Sequence, residues 1–256
     1  PAPDRFLGRA AVYAQARPTY PEALGGWLAD RGLLAGWVAD VGAGTGLFTR
    51  LLLRQGARVY AVEPNPEMRA RLAEDLADQV LAERLSVWAG TSEATGLPDA
   101  SVTLVTAAQA AHWFAPEPTV REFRRILRPD GHVLLVWNDW RGEETPFNAA
   151  YGEVIRPFQA ADTPEVATRI PEAEVPRLLP GGFERVTFEH PLSLTRERLH
   201  ALAASVSYLP SPADAAYSAL TRALDALFDA HQRGGSVTLA YRTHAFLGRL
   251  TAALAS

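Results

Sequence analysis

The sequence predicts an α/β protein built on an open, doubly wound parallel sheet. Apolar runs of strand length alternate with segments of helical periodicity between residues 38 and 137. A glycine-rich turn directly follows the first of those runs. The 256 residues, 48% hydrophobic and 21% charged, suffice for one large domain or one domain with a smaller cap. Strands separated by helices pair in parallel through right-handed crossovers, which gives the doubly wound arrangement.

Each element has its own signal. Phe6 to Arg17 reads as a short helix stopped by Pro18. Pro21 suits the first turn of a second helix, with Leu24, Trp27 and Leu28 on one face and Gly32 ending it. Val38 to Val41 is the first strand, and Phe48, Leu51 and Leu52 face inward from the helix after the glycine turn. Arg58 to Glu63 is the second strand. Asn65-Pro66 then supplies an N-cap with proline at the first helical position, ahead of Met68, Leu72 and Leu76 at helical spacing. Leu85 to Ala89 and Val102 to Ala107 are the third and fourth strands. A helix near Thr119 to Leu127 ends in the turn Arg128-Pro129-Asp130-Gly131, and His132 to Trp137 is the fifth strand.

After Asn138 the pattern changes. Residues 141–180 are proline-rich and loosely helical, Phe183 to His190 is a strand, and Arg196 to Val206 and Ala213 to His231 are helices. Ser236 to Phe246 is expected as one final strand. The chain therefore reads as a single domain: amino-terminal helices over 1–35, a ligand-binding core over 36–140, and a helical cap from 141–180 and 196–232.

Composition excludes several chemistries. There is no cysteine, which removes disulfides, thiolate zinc sites and thiol nucleophiles, and nothing points to a metal. All 25 basic residues are arginine, a pattern read as codon bias before function. A net charge of −4 argues against a broad nucleic-acid surface. No apolar run has membrane-spanning length and Pro1 to Arg5 lacks a signal-peptide layout, so a cytoplasmic location is expected, with no membrane or nucleic-acid partner.

The first strand-to-helix turn is Asp40-Val41-Gly42-Ala43-Gly44-Thr45-Gly46. Ligands of open α/β sheets sit at the carboxyl ends of the strands, and glycines let backbone approach them closely. A nicotinamide or flavin fingerprint places its third glycine one residue later, where this chain has Leu47. Glu63, 21 residues after Gly42 at the end of the second strand, offers two acceptor oxygens to ribose hydroxyls. At a crevice it should serve the ligand and add little to fold stability.

The stretches Val38 to Glu63, Trp88 to Glu93, Leu104 to Phe114 and Leu127 to Trp137 together resemble the class I S-adenosylmethionine-dependent methyltransferases. The likeness is strongest to the small-molecule branch of methyltransferase type 11 and the trans-aconitate methyltransferase-like proteins. It implies a Rossmann-like seven-stranded sheet whose last strand is antiparallel, with S-adenosylmethionine as cofactor and S-adenosylhomocysteine as product. Asp40, Gly42, Ala43, Gly44, Thr45 and Gly46 would then form the cofactor loop, its glycines flanking the methionine part. Glu63 would take the ribose, Pro64 and Met68 would lie near adenine, Thr91 and Ser92 near its amino group, and Gln109 beside cofactor and acceptor. Many relatives carry aspartate where this chain has Thr91-Ser92.

Tyr13, Arg17 and Tyr20 resemble the family's amino-terminal lid, where Arg17 could pair with the cofactor carboxylate. His112-Trp113-Phe114 follows the fourth strand at the expected catalytic edge. His112 is a candidate general base, and Trp113, Trp137, Tyr208 and Tyr13 are candidate acceptor contacts. Arg242, alternating with His244 on the last strand, could hold an acidic acceptor or face solvent. The expected reaction is methyl transfer to a small molecule, a carboxylate or a hydroxyl. The rivals are a nicotinamide-dependent oxidoreductase, a binding protein that retains the cofactor without catalysis and, more weakly, a nucleic-acid methyltransferase.

Overall fold

The computed structural model describes residues 17–140, 145–159, 172–206 and 208–250. In chain order these form α1 (Glu22–Asp30), β1 (Trp37–Val41), α2 (Leu47–Arg54), β2 (Arg58–Val62), α3 (Pro66–Asp75), α4 (Ala77–Leu81), β3 (Leu85–Trp88), β4 (Val102–Ala108) and α5 (Pro116–Ile126). There follow β5 (Leu127–Asp139), α6 (Pro146–Ile155), α7 (Val175–Leu178), β6 (Phe183–Glu189), β7 (Leu192–Leu194), α8 (Arg196–Ser205), α9 (Tyr217–His231), β8 (Val237–Leu239) and β9 (Arg242–Gly248). Tyr13 and nearly all of the helix expected over 6–17 lie outside the described residues. Among the described residues, no helix is long and apolar enough to cross a membrane.

Seven strands form one sheet in the order β3-β2-β1-β4-β5-β9-β6, with β9 antiparallel to both neighbours and the rest parallel where they meet. The strand order reverses between β1 and β4, so the crevice at their carboxyl ends is the switch point where such sheets take ligands. One sheet face is sealed by Leu24, Leu28, Phe48, Leu51, Leu52 and Leu72 from α1, α2 and α3. The other packs against Val120, Phe123 and Ile126 of α5.

Three expectations change. The single strand over 236–246 is two strands: β8 pairs with β7 in a separate small sheet, and β9 joins the large one. The break has a cause at Ala240, whose N–H donates to Asn148 Oδ1 (3.0 Å) and whose carbonyl accepts from Asn148 Nδ2 (2.8 Å). With both groups taken by one buried amide, no strand partner is needed there. Residues 175–179, expected in the cap, instead bury Val175, Leu178 and Leu179 with Phe123 and Ile126 on the sheet. Finally, the turn over 128–131 is a bulge within β5: Val102 pairs with Leu127 but Leu104 with His132, five residues against two.

A third hydrophobic cluster stands apart from both sheet faces. Phe147, Tyr151 and Ile155 of α6 pack with Leu199 and Leu202 of α8, Leu220, Leu224 and Phe228 of α9, and Val237 and Leu239 of β8. This cap has its own interior.

Candidate active site

The glycine turn leaves β1 under tight local control. Gly42, Gly44 and Gly46 all have positive φ (73°, 57° and 86°), which glycine tolerates without a Cβ penalty. Their surroundings differ. A Cβ on Gly42 would come 2.6 Å from the Ala110 Cβ, so Gly42 admits the loop after β4. One on Gly46 would meet Leu72 at 3.0 Å, so Gly46 admits α3. Over Gly44 the nearest atom would be Met68 Sδ at 4.0 Å, and that space is open to a ligand.

Two buried carboxylates hold the turn. Thr49 and Thr106 hydroxyls donate to opposite oxygens of Asp40 (2.6 and 2.9 Å). Burial is the chief cause that pushes the Asp40 carboxyl up to about 6, and Glu63 adds to it. Asp40, 1% exposed, therefore braces β1, β4 and α2. Glu63 accepts from Gly44 N–H and Asn65 N–H, one per oxygen, both at 2.8 Å. It is only 5% exposed, and burial raises its pKa against the lowering effect of those amides and of Arg69. Glu63 is thus part of the structural interior as well, contrary to the expectation that it adds little stability. A carboxylate presents about four lone-pair sites, so two amides leave capacity for two ribose hydroxyls. The hydroxyl of buried Thr45 has no hydrogen-bond partner among the described residues. Open space at Gly44, spare acceptors on Glu63 and an unpartnered Thr45 fit an adenosyl ligand.

The next strand ends complete that wall. Asn65 caps α3 by accepting from Glu67 and Met68 N–H, burying Met68 and leaving Pro64 exposed at the rim. Beyond β3, residues 91–95 are stitched to α5: Thr119 Oγ1 donates to Ser92 (3.1 Å), Ala115 N–H to Glu93 (3.2 Å), and Thr95 N–H and Oγ1 to Glu122 (2.8 and 2.6 Å). Thr91 remains exposed, whereas Ser92 is buried and its hydroxyl accepts from Thr119.

At the mouth, residues 109–113 leave β4 through Gln109, whose φ of 54° is in the left-handed region, into a short turn over Ala111–Trp113. Burial, with help from the Arg17 guanidinium, pushes the His112 imidazole down to about 4. It is neutral at pH 7, and its Nδ1 has no partner among the described residues. Trp113 is 39% exposed and its ring lies 4.8 Å from that of His112. Arg17 donates to the Ser205 carbonyl at the end of α8 (3.3 Å), bridging core and cap. Tyr20 is buried edge-on against Phe48.

One expected acceptor contact is placed elsewhere. Trp137 is 4% exposed and packs against Phe246 in the sheet core, because its position in β5 faces α5 and α7. Arg242 is exposed at the start of β9, at the carboxyl edge of the sheet, in register with Asp139 of β5 and Glu189 of β6. Tyr208 packs on the cap cluster. The residue that reasoning from sequence passed over is Asn138, noted only as the point where the pattern changes. Its signal was an amide at the carboxyl end of the fifth strand.

The methyltransferase-domain family model matches residues 39–135, the stretch from β1 to β5. An uncharacterized methyltransferase of Mycobacterium tuberculosis is 35% identical over 221 residues, 85% of this chain and 83% of that one. A methyltransferase-like protein of Schizosaccharomyces pombe is 33% identical, covering 80% of this chain and 78% of its own. The malonyl-[acyl-carrier protein] O-methyltransferase of Halorhodospira halophila is 33% identical over 182 residues, 65% of this chain and 57% of that one. Among solved structures, one from Anaeromyxobacter dehalogenans, provisionally described as a type II methyltransferase, superposes with a TM-score of 0.70 at 22% identity over 93% of this chain and 99% of its own. The nicotinamide and non-catalytic readings give way to these findings. The chain belongs to the class I S-adenosylmethionine-dependent methyltransferases.

Proposed function

We propose that the protein methylates a carboxylate oxygen of a small-molecule acceptor bound between the carboxyl edge of the sheet and the cap. The observation that carries this reading is a neutral His112, its Nδ1 buried, within the electrostatic reach of Arg17. An arginine favours an anion, while an imidazole held near 4 is too weak a base to ionise a hydroxyl at neutral pH. A carboxylate is already ionised there and needs no base.

S-adenosylmethionine supplies an activated methyl group when bound. The chain's own residues then have to orient and exclude water. Gly42, Ala43, Gly44, Thr45 and Gly46 would form the floor beneath it, Glu63 would take the ribose hydroxyls, and Pro64, Met68 and Thr91 would border the adenine. Gln109 and Trp113 would border the acceptor, with His112 donating a hydrogen bond instead of taking a proton. The Halorhodospira relative, by its name an O-methyltransferase acting on a malonyl group, supports an oxygen acceptor. Incubating the protein with labelled cofactor and a panel of matched acids, amides and alcohols tests the proposal. Label should enter acids and not their amides, and transfer to alcohols or amines alone would contradict it.

A further inference from the structure

One residue engages three separate elements with every polar group it has. The Asn138 backbone N–H donates to Gln109 Oε1 (3.2 Å), and its carbonyl accepts from Gln109 Nε2 (3.3 Å). Its side-chain Nδ2 donates to the Thr19 carbonyl (3.0 Å), and Oδ1 accepts from the Thr243 hydroxyl of β9 (2.6 Å). The partner on one side, Gln109, holds a left-handed backbone conformation that a residue with a Cβ adopts only where its surroundings enforce it. The partner on the other, Thr19, lies two residues from Arg17 and one from Tyr20, which is wedged against Phe48 beside the glycine turn. Arg17 in turn acts on His112 and reaches the cap.

We infer that Asn138 is the positioning residue that registers the segment 17–20 against the loop 109–113 at the mouth of the site. This rests on the reading of that mouth as the acceptor site, but the coupling itself is independent of which acceptor is used. The geometry separates the roles of Asn138. Its backbone secures Gln109 whatever the side chain, whereas its side chain alone reaches Thr19 and Thr243. An isosteric hydrocarbon at 138 therefore cuts the links to Thr19 and Thr243 while leaving the Gln109 clamp in place. Thr243→Val cuts only the link to β9.

The test compares Asn138→Leu with Thr243→Val in the full chain, without any acceptor. Amide hydrogen exchange at Tyr20 and over 110–113 should accelerate together in Asn138→Leu, by about fivefold for one lost hydrogen bond, and not in Thr243→Val. The His112 ring, followed by NMR and assigned with His112→Gln, should become easier to protonate in Asn138→Leu as Arg17 loses its register. Should Asn138→Leu fold poorly, Asn138→Ser, whose hydroxyl is too short to serve both partners, gives the same comparison. Exchange rising at Tyr20 alone, an unmoved His112 titration, or identical behaviour of the two variants would overturn the inference. Methyl transfer to carboxylic acids can be lost or absent without affecting these readouts, so failure of the acceptor reading and failure of the coupling are separable.

Discussion

Beneath the glycine turn, the buried groups are carboxylates held on both oxygens: Asp40 and Glu63 accept from two hydroxyls and two backbone amides. In the cap the interior is hydrocarbon and aromatic, and Asn148 is a buried polar group that ties it to the core, through the carbonyl of Trp140 and both backbone groups of Ala240. The first arrangement fixes one backbone path, since hydrogen bonds are directional and unmade ones are costly in a buried site. The second fixes volume more than direction, because apolar cores tolerate substitution when size and pattern are kept. A constant ligand suits the rigid half, and a variable acceptor suits the half that can be repacked.

Breaking the rigid half should cost most. Glu63→Ala strands the Gly44 and Asn65 amides, and should lower both cofactor affinity and unfolding free energy by roughly 3 kcal/mol each, as read by calorimetric titration and urea denaturation. Lost affinity with unchanged stability would show that the amides find other partners. Asp40 acts on stability alone, over a limited pH window and with a defined sign. Its folded value, about 6, lies above the unfolded 3.8, so the folded state holds the proton more tightly. Its contribution is complete below about pH 4 and is lost as pH rises through 6, up to about 3 kcal/mol. Asp40→Asn should remove that slope between pH 4 and 6, which denaturation across this range would reveal.

In the cap, Asn148→Leu should reduce stability by about 2 kcal/mol, because two carbonyls and an N–H lose a buried partner. Cofactor affinity should stay within about twofold, so a tenfold loss would mean that the two halves are not separable in this way. Arg242→Ala should have the smallest effect, under about 0.5 kcal/mol and twofold in acceptor KM, since Arg242 is an exposed residue at the end of its strand.

The same contrast explains what the sequence made legible. The alternation from Val38 to Trp137 was readable because each strand lies in a sheet buried on both faces, and such burial writes an apolar run into the residues. The N-cap at Asn65 was readable because it is a local interaction, satisfied within three residues. The break at Ala240 was not, because it depends on Asn148, 92 residues away. Trp137 looked like an acceptor contact because it stands near the catalytic edge, but strand parity turns it into the core. Glu63 was found as a ligand residue while its second role stayed hidden, since the amide of Gly44 comes within reach only once the turn has closed. His112 stood out by position, but its protonation depends on burial and on Arg17, neither of which is written nearby.

The most direct test of the carboxylate reading is the chemistry of the product. Methyl groups transferred from labelled S-adenosylmethionine to an accepted acid should be released as volatile methanol by mild alkali, as from an ester, with the rate of transfer unchanged in His112→Gln to within about threefold. A product that keeps its label in alkali, together with a rate that collapses in His112→Gln, would contradict it and make His112 the base for a hydroxyl.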